Sequence, residues 1–254
     1  MFTKAIVRRP AKSLVQGITS NPQLGKPDYD KALRQHDAYI AALEKCGVAV
    51  KVLPALEAYP DSCFMEDVAL CTRKFALVTN PGAPSRRGEI EGIAEVLAGY
   101  FADIDRIRAP GTLEGGDVMM VGDRFYVGLS ARTNAEGARQ LVAALEKRGL
   151  SGQGVDMREM LHLKTGLSYL EEGFLLVAGE FLAAPEFASF KRIEVAPEES
   201  YAANCIRVNE HVLVPSGFPK TEARIREAGL SVILVDTSEY RKLDGGLSCL
   251  SLRF

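Results

Sequence analysis

A chain of 254 residues with 47% hydrophobic content can bury a sizeable core and is expected to fold unaided. The formal net charge of -2, with acids and bases interspersed along the whole length, excludes a basic stripe for nucleic acid and an acidic tail. A small solute is the expected partner.

The opening Met1 to Pro10 segment lacks the long apolar core of a signal peptide, and no apolar run reaches the roughly 18 residues of a membrane span. A cytoplasmic protein is expected. The five cysteines, Cys46, Cys63, Cys71, Cys205 and Cys249, are scattered, with no Cys-x-x-Cys pair to suggest zinc or a redox motif. They read as reduced thiols, and no metal or cofactor is expected.

In chain order, an opening strand around Ala5 to Val7 precedes a helix from Asp28 to Lys45 with Tyr29, Leu33, Ile40 and Leu43 on one face, stopped at Gly47. Val48 to Leu53 is a second strand. The same order then recurs. Strand Phe75 to Thr79 leads through Pro81-Gly82 to a helix bearing Ile90, Ile93, Val96 and Leu97. Strand Phe125 to Leu129 leads to a helix bearing Leu141, Val142 and Leu145, with Thr133 and Glu136 in capping-box register. Strand Phe174 to Ala178 leads to a short helix near Pro185 to Phe190, and Val212 to Pro215 to a helix from Thr221 to Ala228.

A further strand precedes each later unit: Phe64 to Leu70, Asp117 to Val121, Thr165 to Leu170, Ala203 to Val208, and Leu247 to Arg253. The repeat of roughly 40 to 50 residues belongs to repeat architectures. The last strand has no partner but the opening strand, which predicts a closed ring. No Pro/Ser-rich hinge interrupts it, so residues 1–254 read as a single domain. An open three-layer sandwich with a mixed sheet is the alternative.

In a closed ring the polar stretches between units converge near the axis, as binding loops do in propellers. Four acids at strand entries, Asp61, Glu66, Asp67 and Glu114, are costly to bury together without a cation. A planar guanidinium matches such carboxylates in charge and geometry. Taken singly, each acid is more often a solvated turn or cap.

Of the three histidines, His36 lies inside the first helix and His211 beside a strand, and both read as surface or packing residues. His162 instead sits at a unit junction, as do the acids and Cys249. A lone histidine is more often structural than catalytic, but a thiol nucleophile requires such a partner. Gly245-Gly246 ahead of Leu247-Ser248-Cys249 permits close backbone approach to a ligand, and equally suits an ordinary turn.

Several segments together resemble a known family: Asp61-Ser62-x-Phe64-x-Glu66-Asp67, Ser85-Arg86-Arg87-Gly88-Glu89, Gly111-Thr112-Leu113-Glu114, Ala131-Arg132-Thr133-Asn134, Leu161-His162-Leu163-Lys164-Thr165-Gly166, and Asp244-Gly245-Gly246-x-Ser248-Cys249. Over essentially its whole length the chain is similar to the bacterial dimethylarginine dimethylaminohydrolases, guanidino-modifying enzymes of the pentein fold. The resemblance implies an α+β protein, a five-bladed α/β-propeller of pseudo-fivefold ββαβ units, and hydrolysis of Nω-methylated arginine to citrulline.

By the same resemblance Cys249 is the nucleophile, His162 the general acid and base, and Glu114 the carboxylate that orients it. Glu66 and Asp67 clamp the guanidinium, Arg86 and Arg132 hold the α-carboxylate, and Asp61 with the backbone near Ile18 receives the α-amino group. Phe64, Leu243 and Ser248 complete the substrate-binding set. No metal is implied, the loop from Ser20 to Lys26 has the place of a lid, and a homodimer is expected. An arginine deiminase, which in that superfamily carries a large helical insertion, is the nearest rival. A thiol peptidase and a non-catalytic binder of cationic amino acids are rivals of other classes.

Overall fold

A computed structural model describes residues 1–254 and consists of five three-stranded sheets. Four of them are built by the same local rule. In one, Val118–Val121 pairs antiparallel with Arg124–Leu129, which pairs in parallel with Ser151–Asp156. A tight turn suffices for the antiparallel step, whereas the parallel step requires a crossover, supplied by the helix Ala135–Glu146.

The fifth sheet joins the two ends of the chain. Lys4–Arg8 pairs in parallel with Ala49–Leu53 and antiparallel with Leu252–Arg253, placing Ile6 opposite Leu252. The last strand therefore completes the first blade, as its lack of any other partner predicts, and the five-bladed ring is closed.

Apolar clusters fill the space between sheets. The largest has 19 buried residues and packs Tyr39 and Leu43 of the first helix with Leu213 and Val235 of the neighbouring blade and with Leu250. Several predicted elements differ in detail. The first helix is Tyr29–Lys45, capped by Asp28, whose side chain accepts from the Lys31 N–H at 2.7 Å. Its buried face is Ala32, Gln35, His36, Tyr39, Ala42 and Leu43, so Leu33 and Ile40 lie at the margin of the stripe and His36 inside it.

The helix expected over Ile90 to Leu97 is broken at Gly92, whose φ of 73° is left-handed. A helical turn over Pro84–Ile90 precedes it and Ile93–Ala98 follows. The cap of Ala135–Glu146 is Asn134, accepting from the Gly137 N–H at 2.8 Å, because the Thr133 hydroxyl instead accepts from the Glu114 N–H at 3.1 Å. The short helix near Pro185 is two helical turns, Gly179–Ala183 and Pro185–Phe187.

The inner strands are shorter than predicted for one shared reason. In each blade a helical turn occupies the residues just before the strand: Met65–Val68, Gly115–Asp117, Leu163–Gly166, Pro197–Ala203 and Ser248–Leu250. These turns pack against one another around the axis. The chemistry-bearing residues lie on them or at their edges.

Candidate active site

One pocket at this end of the ring is lined by Ile18, Asp61, Phe64, Asp67, Arg86, Arg132, Leu161, His162, Leu243, Asp244, Gly245 and Cys249. Nine of the twelve expected site residues are thus brought to one wall. The other three, Glu66, Glu114 and Ser248, lie behind it.

His162 sits at the entry of its turn, and its Nε2 lies 2.8 Å from Glu114 Oε2. Glu114 is fully buried, and its Oε1 accepts from the Ala83 N–H at 3.2 Å and from Arg132 Nη1 at 3.4 Å. A Cβ on Gly116 would stand 2.8 Å from His162 Cγ, so glycine is needed there for the imidazole to seat. Burial disfavours the imidazolium, but Asp67, Asp117 and Glu114 outweigh it and hold the His162 pKa up at about 9. At neutral pH this histidine carries a proton that it can give away.

Cys249 is half-buried, and its Sγ lies 3.4 Å from the Gly246 N–H. Withdrawal from water, with Glu66 and Asp67 nearby, pushes the thiol up to about 12. The resting nucleophile is a thiol, and only a cation brought beside it would favour thiolate. The remaining four cysteines are buried.

The two adjacent acids face different ways. Asp67 opens to the pocket, accepting from Arg86 Nη1 at 2.6 Å and from the Gly116 N–H at 2.9 Å. Burial works against its charge, but Arg86 and His162 prevail and hold it down at about 2. Glu66 faces an axial cavity on the other side, where Lys164 Nζ donates to it at 2.6 Å, Ser248 Oγ at 2.7 Å, and Arg253 Nη2 lies 3.5 Å away. Ser248 is spent on Glu66 and on Asn204, whose Oδ1 accepts the Ser248 N–H at 2.8 Å.

Arg86, buried, also donates to Glu89 through Nε at 3.1 Å and Nη2 at 2.8 Å, and to the Phe64 carbonyl at 3.1 Å. Asp61 Oδ1 accepts from the Ile18 N–H at 3.0 Å. Asp67, Glu114 and His162 offer three ligating atoms within 4.8 Å of one another, yet the guanidinium groups of Arg86 and Arg132 already hold the two carboxylates. That donor set suits a neutralised proton-transfer group better than a divalent cation.

Sequence reasoning passes over Asp117, Glu89, Lys164, Ser130 and Asp244 as functional residues, although Glu89, Lys164 and Asp244 lie within the quoted motifs. Asp244 holds the loop that begins at Ser20: the Ser20 N–H and Asn21 Nδ2 each donate to it at 2.6 Å, and Ser20 Oγ at 2.9 Å. The signal for Asp244 was its place before two glycines, where its φ of 60° makes a sharp reversal.

The family model described as "N,N dimethylarginine dimethylhydrolase, eukaryotic" matches residues 24–210. The chain is 60% identical over 255 residues, covering all of both sequences, to the N(G),N(G)-dimethylarginine dimethylaminohydrolase of Pseudomonas aeruginosa. It superposes with a TM-score of 0.98 at 59% identity, over the full length of both chains, on the crystal structure of a cysteine-to-serine variant of the Pseudomonas aeruginosa protein complexed with citrulline. The same score and coverage hold for a dimethylarginine dimethylaminohydrolase histidine-to-glycine variant as an adduct with S-methyl-L-thiocitrulline. With its closed five-bladed ring and its thiol and histidine in one pocket, the chain belongs to the dimethylarginine dimethylaminohydrolase family.

Proposed function

We propose that the protein hydrolyses Nω-methylated L-arginine, both asymmetric dimethylarginine and monomethylarginine, to L-citrulline and dimethylamine or methylamine. The observation that carries the reading is the shared pocket: a protonated histidine, a poised thiol and a paired carboxylate line one wall beside two arginines.

The substrate guanidinium enters beside Asp67 and Cys249. Its positive charge favours the thiolate that burial, Glu66 and Asp67 otherwise disfavour, and the thiol proton passes to solvent as the substrate binds. Cys249 Sγ attacks the guanidinium carbon and forms a C–S bond. The methylated amine leaves with a broken C–N bond and a proton from His162, and a covalent thiouronium remains. His162, now neutral, takes a proton from a water whose oxygen attacks the same carbon. The C–S bond breaks, the thiolate departs, and citrulline is formed.

Glu114 keeps the imidazole oriented and favours its protonated form before the first step and after the second. Glu66, tied to Lys164 and Ser248, acts from behind as a fixed negative charge below the thiol. Arg132 and Arg86 hold the α-carboxylate, and Asp61 with the Ile18 backbone receives the α-amino group. Phe64 and Leu243 wall the aliphatic part. Orientation by these groups contributes through effective concentration rather than bond chemistry.

No helix is long and apolar enough to cross a membrane. The reading adds a cytoplasmic location, a single functional unit over residues 1–254 and a homodimer, the last testable by sedimentation. Citrulline release from asymmetric dimethylarginine and, in parallel, from arginine tests the activity, with Cys249→Ser as the blank. Release from the methylated substrate alone is expected. Release from arginine alone would move the protein to the deiminases, and silence on both would overturn the reading.

A further inference from the structure

Asp117 is a fully buried carboxylate at the end of the turn Gly115–Asp117, three places after Glu114 in the chain, and no step of the reaction uses it. Its Oδ1 accepts from the Leu163 N–H at 3.0 Å, the residue next to His162. Its Oδ2 accepts from Ser130 Oγ at 2.6 Å. Ser130 Oγ in turn accepts from the Arg132 N–H at 3.0 Å and the Thr133 N–H at 3.2 Å. One carboxylate therefore ties down the segment bearing His162 and the loop bearing Arg132.

Burial raises the Asp117 pKa, His162 and the hydrogen bonds from Ser130 and Leu163 work against that rise, and the donor pattern favours the ionised form. A hydroxyl has one proton, and with two N–H groups donating to Ser130 Oγ, that proton goes to Asp117. The Leu163 N–H has no choice but to donate. Each of these contacts requires Asp117 to accept, which is the pattern of a carboxylate and not of the acid.

Its charge is also unlike that of its neighbours. The charged and titratable groups packed around His162 are Asp67 from the turn Met65–Val68, Glu114 and Asp117, Arg86 from Pro84–Ile90, Arg132 from the loop and Cys249 from the C-terminal turn, while Glu66 and Lys164 pair with each other on the axial side. Asp67 is paired with Arg86, Glu114 with Arg132, and Glu66 with Lys164 and Arg253. Asp117 makes only neutral hydrogen bonds, so its charge is left to act on the imidazolium.

We propose that Asp117 is the positioning residue of this site: it sets the register of the His162 and Arg132 segments and supplies the carboxylate charge near His162 that no arginine or lysine neutralises. This rests on the hydrolase reading of the pocket, but its first test does not. With only three histidines in the chain, the imidazole of His162 can be followed by NMR titration, with His36 and His211 as internal controls.

In a Cys249→Ser background, Asp117→Asn keeps the shape and removes the charge. The His162 titration should fall by about one pH unit or more, while His211 stays in place. In the Cys249 enzyme the same change should lower the alkaline limb of the kcat/KM profile by the same amount. Ser130→Ala keeps the charge and cuts the chain to Arg132: KM should rise about tenfold with the His162 midpoint unmoved.

A folded Asp117→Asn whose His162 titrates as in the parent would overturn the proposal, as would Ser130→Ala with an unchanged KM. If Asp117→Asn does not fold, the Ser130→Ala result decides alone. An enzyme silent on methylated arginine with a shifted His162 would sink the substrate reading and leave the role of Asp117 standing.

Discussion

Arg86 Nη1 donates to Asp67 Oδ2 at 2.6 Å, so the protein keeps a guanidinium of its own on the carboxylate that a substrate guanidinium would meet. Both side chains are about 5% exposed or less, and Arg86 is further held by Glu89, whose pKa burial raises to about 7. Removing the arginine strands two buried acids. Arg86→Ala should therefore act on stability first, costing roughly 3–5 kcal/mol in urea unfolding. An unfolding midpoint equal to the parent's would show that the pair is solvated.

Arg132 differs, with 16% exposure and one long 3.4 Å contact to Glu114. Arg132→Ala should leave the melting temperature nearly unchanged and raise KM about tenfold to a hundredfold, the loss of a charge-assisted bond of ~1.5–3 kcal/mol. Steady-state kinetics beside a thermal melt separates the two arginines.

The loop expected to act as a lid is fastened by Asp244, which accepts three hydrogen bonds from Ser20 and Asn21. Because its φ is 60°, glycine fits the backbone without strain while losing the carboxylate. Asp244→Gly should raise KM several-fold and speed amide exchange across residues 17–25, as read by mass spectrometry. Exchange at the parent rate would mean that the lid is held elsewhere.

Alkylation of Cys249 by iodoacetamide reports its thiolate fraction. With the thiol pushed up to about 12, the rate in the substrate-free protein should climb about tenfold per pH unit from 7 to 10 without levelling. A plateau near pH 8 would contradict this. The four buried thiols should remain unmodified until the protein unfolds.

The two buried histidines act on stability in opposite directions. His36 is fully buried with both ring nitrogens unpartnered, and burial lowers it to about 4. Its contribution is present above pH 6.5 and lost as pH falls toward 4, because the unfolded chain binds the proton first. His162, raised to about 9, contributes below pH 6.5 and loses that contribution as pH rises through 9. His36→Leu should flatten the acid limb of the stability curve by up to about 3 kcal/mol at pH 4, measured by denaturant titration across pH. An acid limb as steep as the parent's would place the sensitivity in the carboxylates.

Much of this was legible in the chain. Central strands such as Arg124–Leu129 and His211–Pro215 are nearly continuous apolar runs, because both of their faces are buried. Outer strands such as Ser151–Asp156 have mostly exposed or half-exposed residues and two glycines, and so left little pattern to read. The first helix showed its length but only part of its face: Leu43 is buried as expected, while Ala32, Gln35 and His36 are buried where large aliphatics at Leu33 and Ile40 suggested the stripe.

The sequence by itself determined the period, the closure of the ring and the identity of the thiol, histidine and acids, because these follow from apolar patterning and from residue types that carry the chemistry. Which carboxylate faces which cation was decided only by the tertiary structure. Glu66 and Asp67 are neighbours in the chain, yet one turns to Lys164 and Ser248 and the other to Arg86. Thr133 reads as a helix cap and serves Glu114, and Asp117 reads as the start of a strand and holds two loops. Local patterning specifies where a turn falls, but the partners of a buried polar group come from elsewhere in the chain, often from neighbouring blades, and each must be satisfied at once.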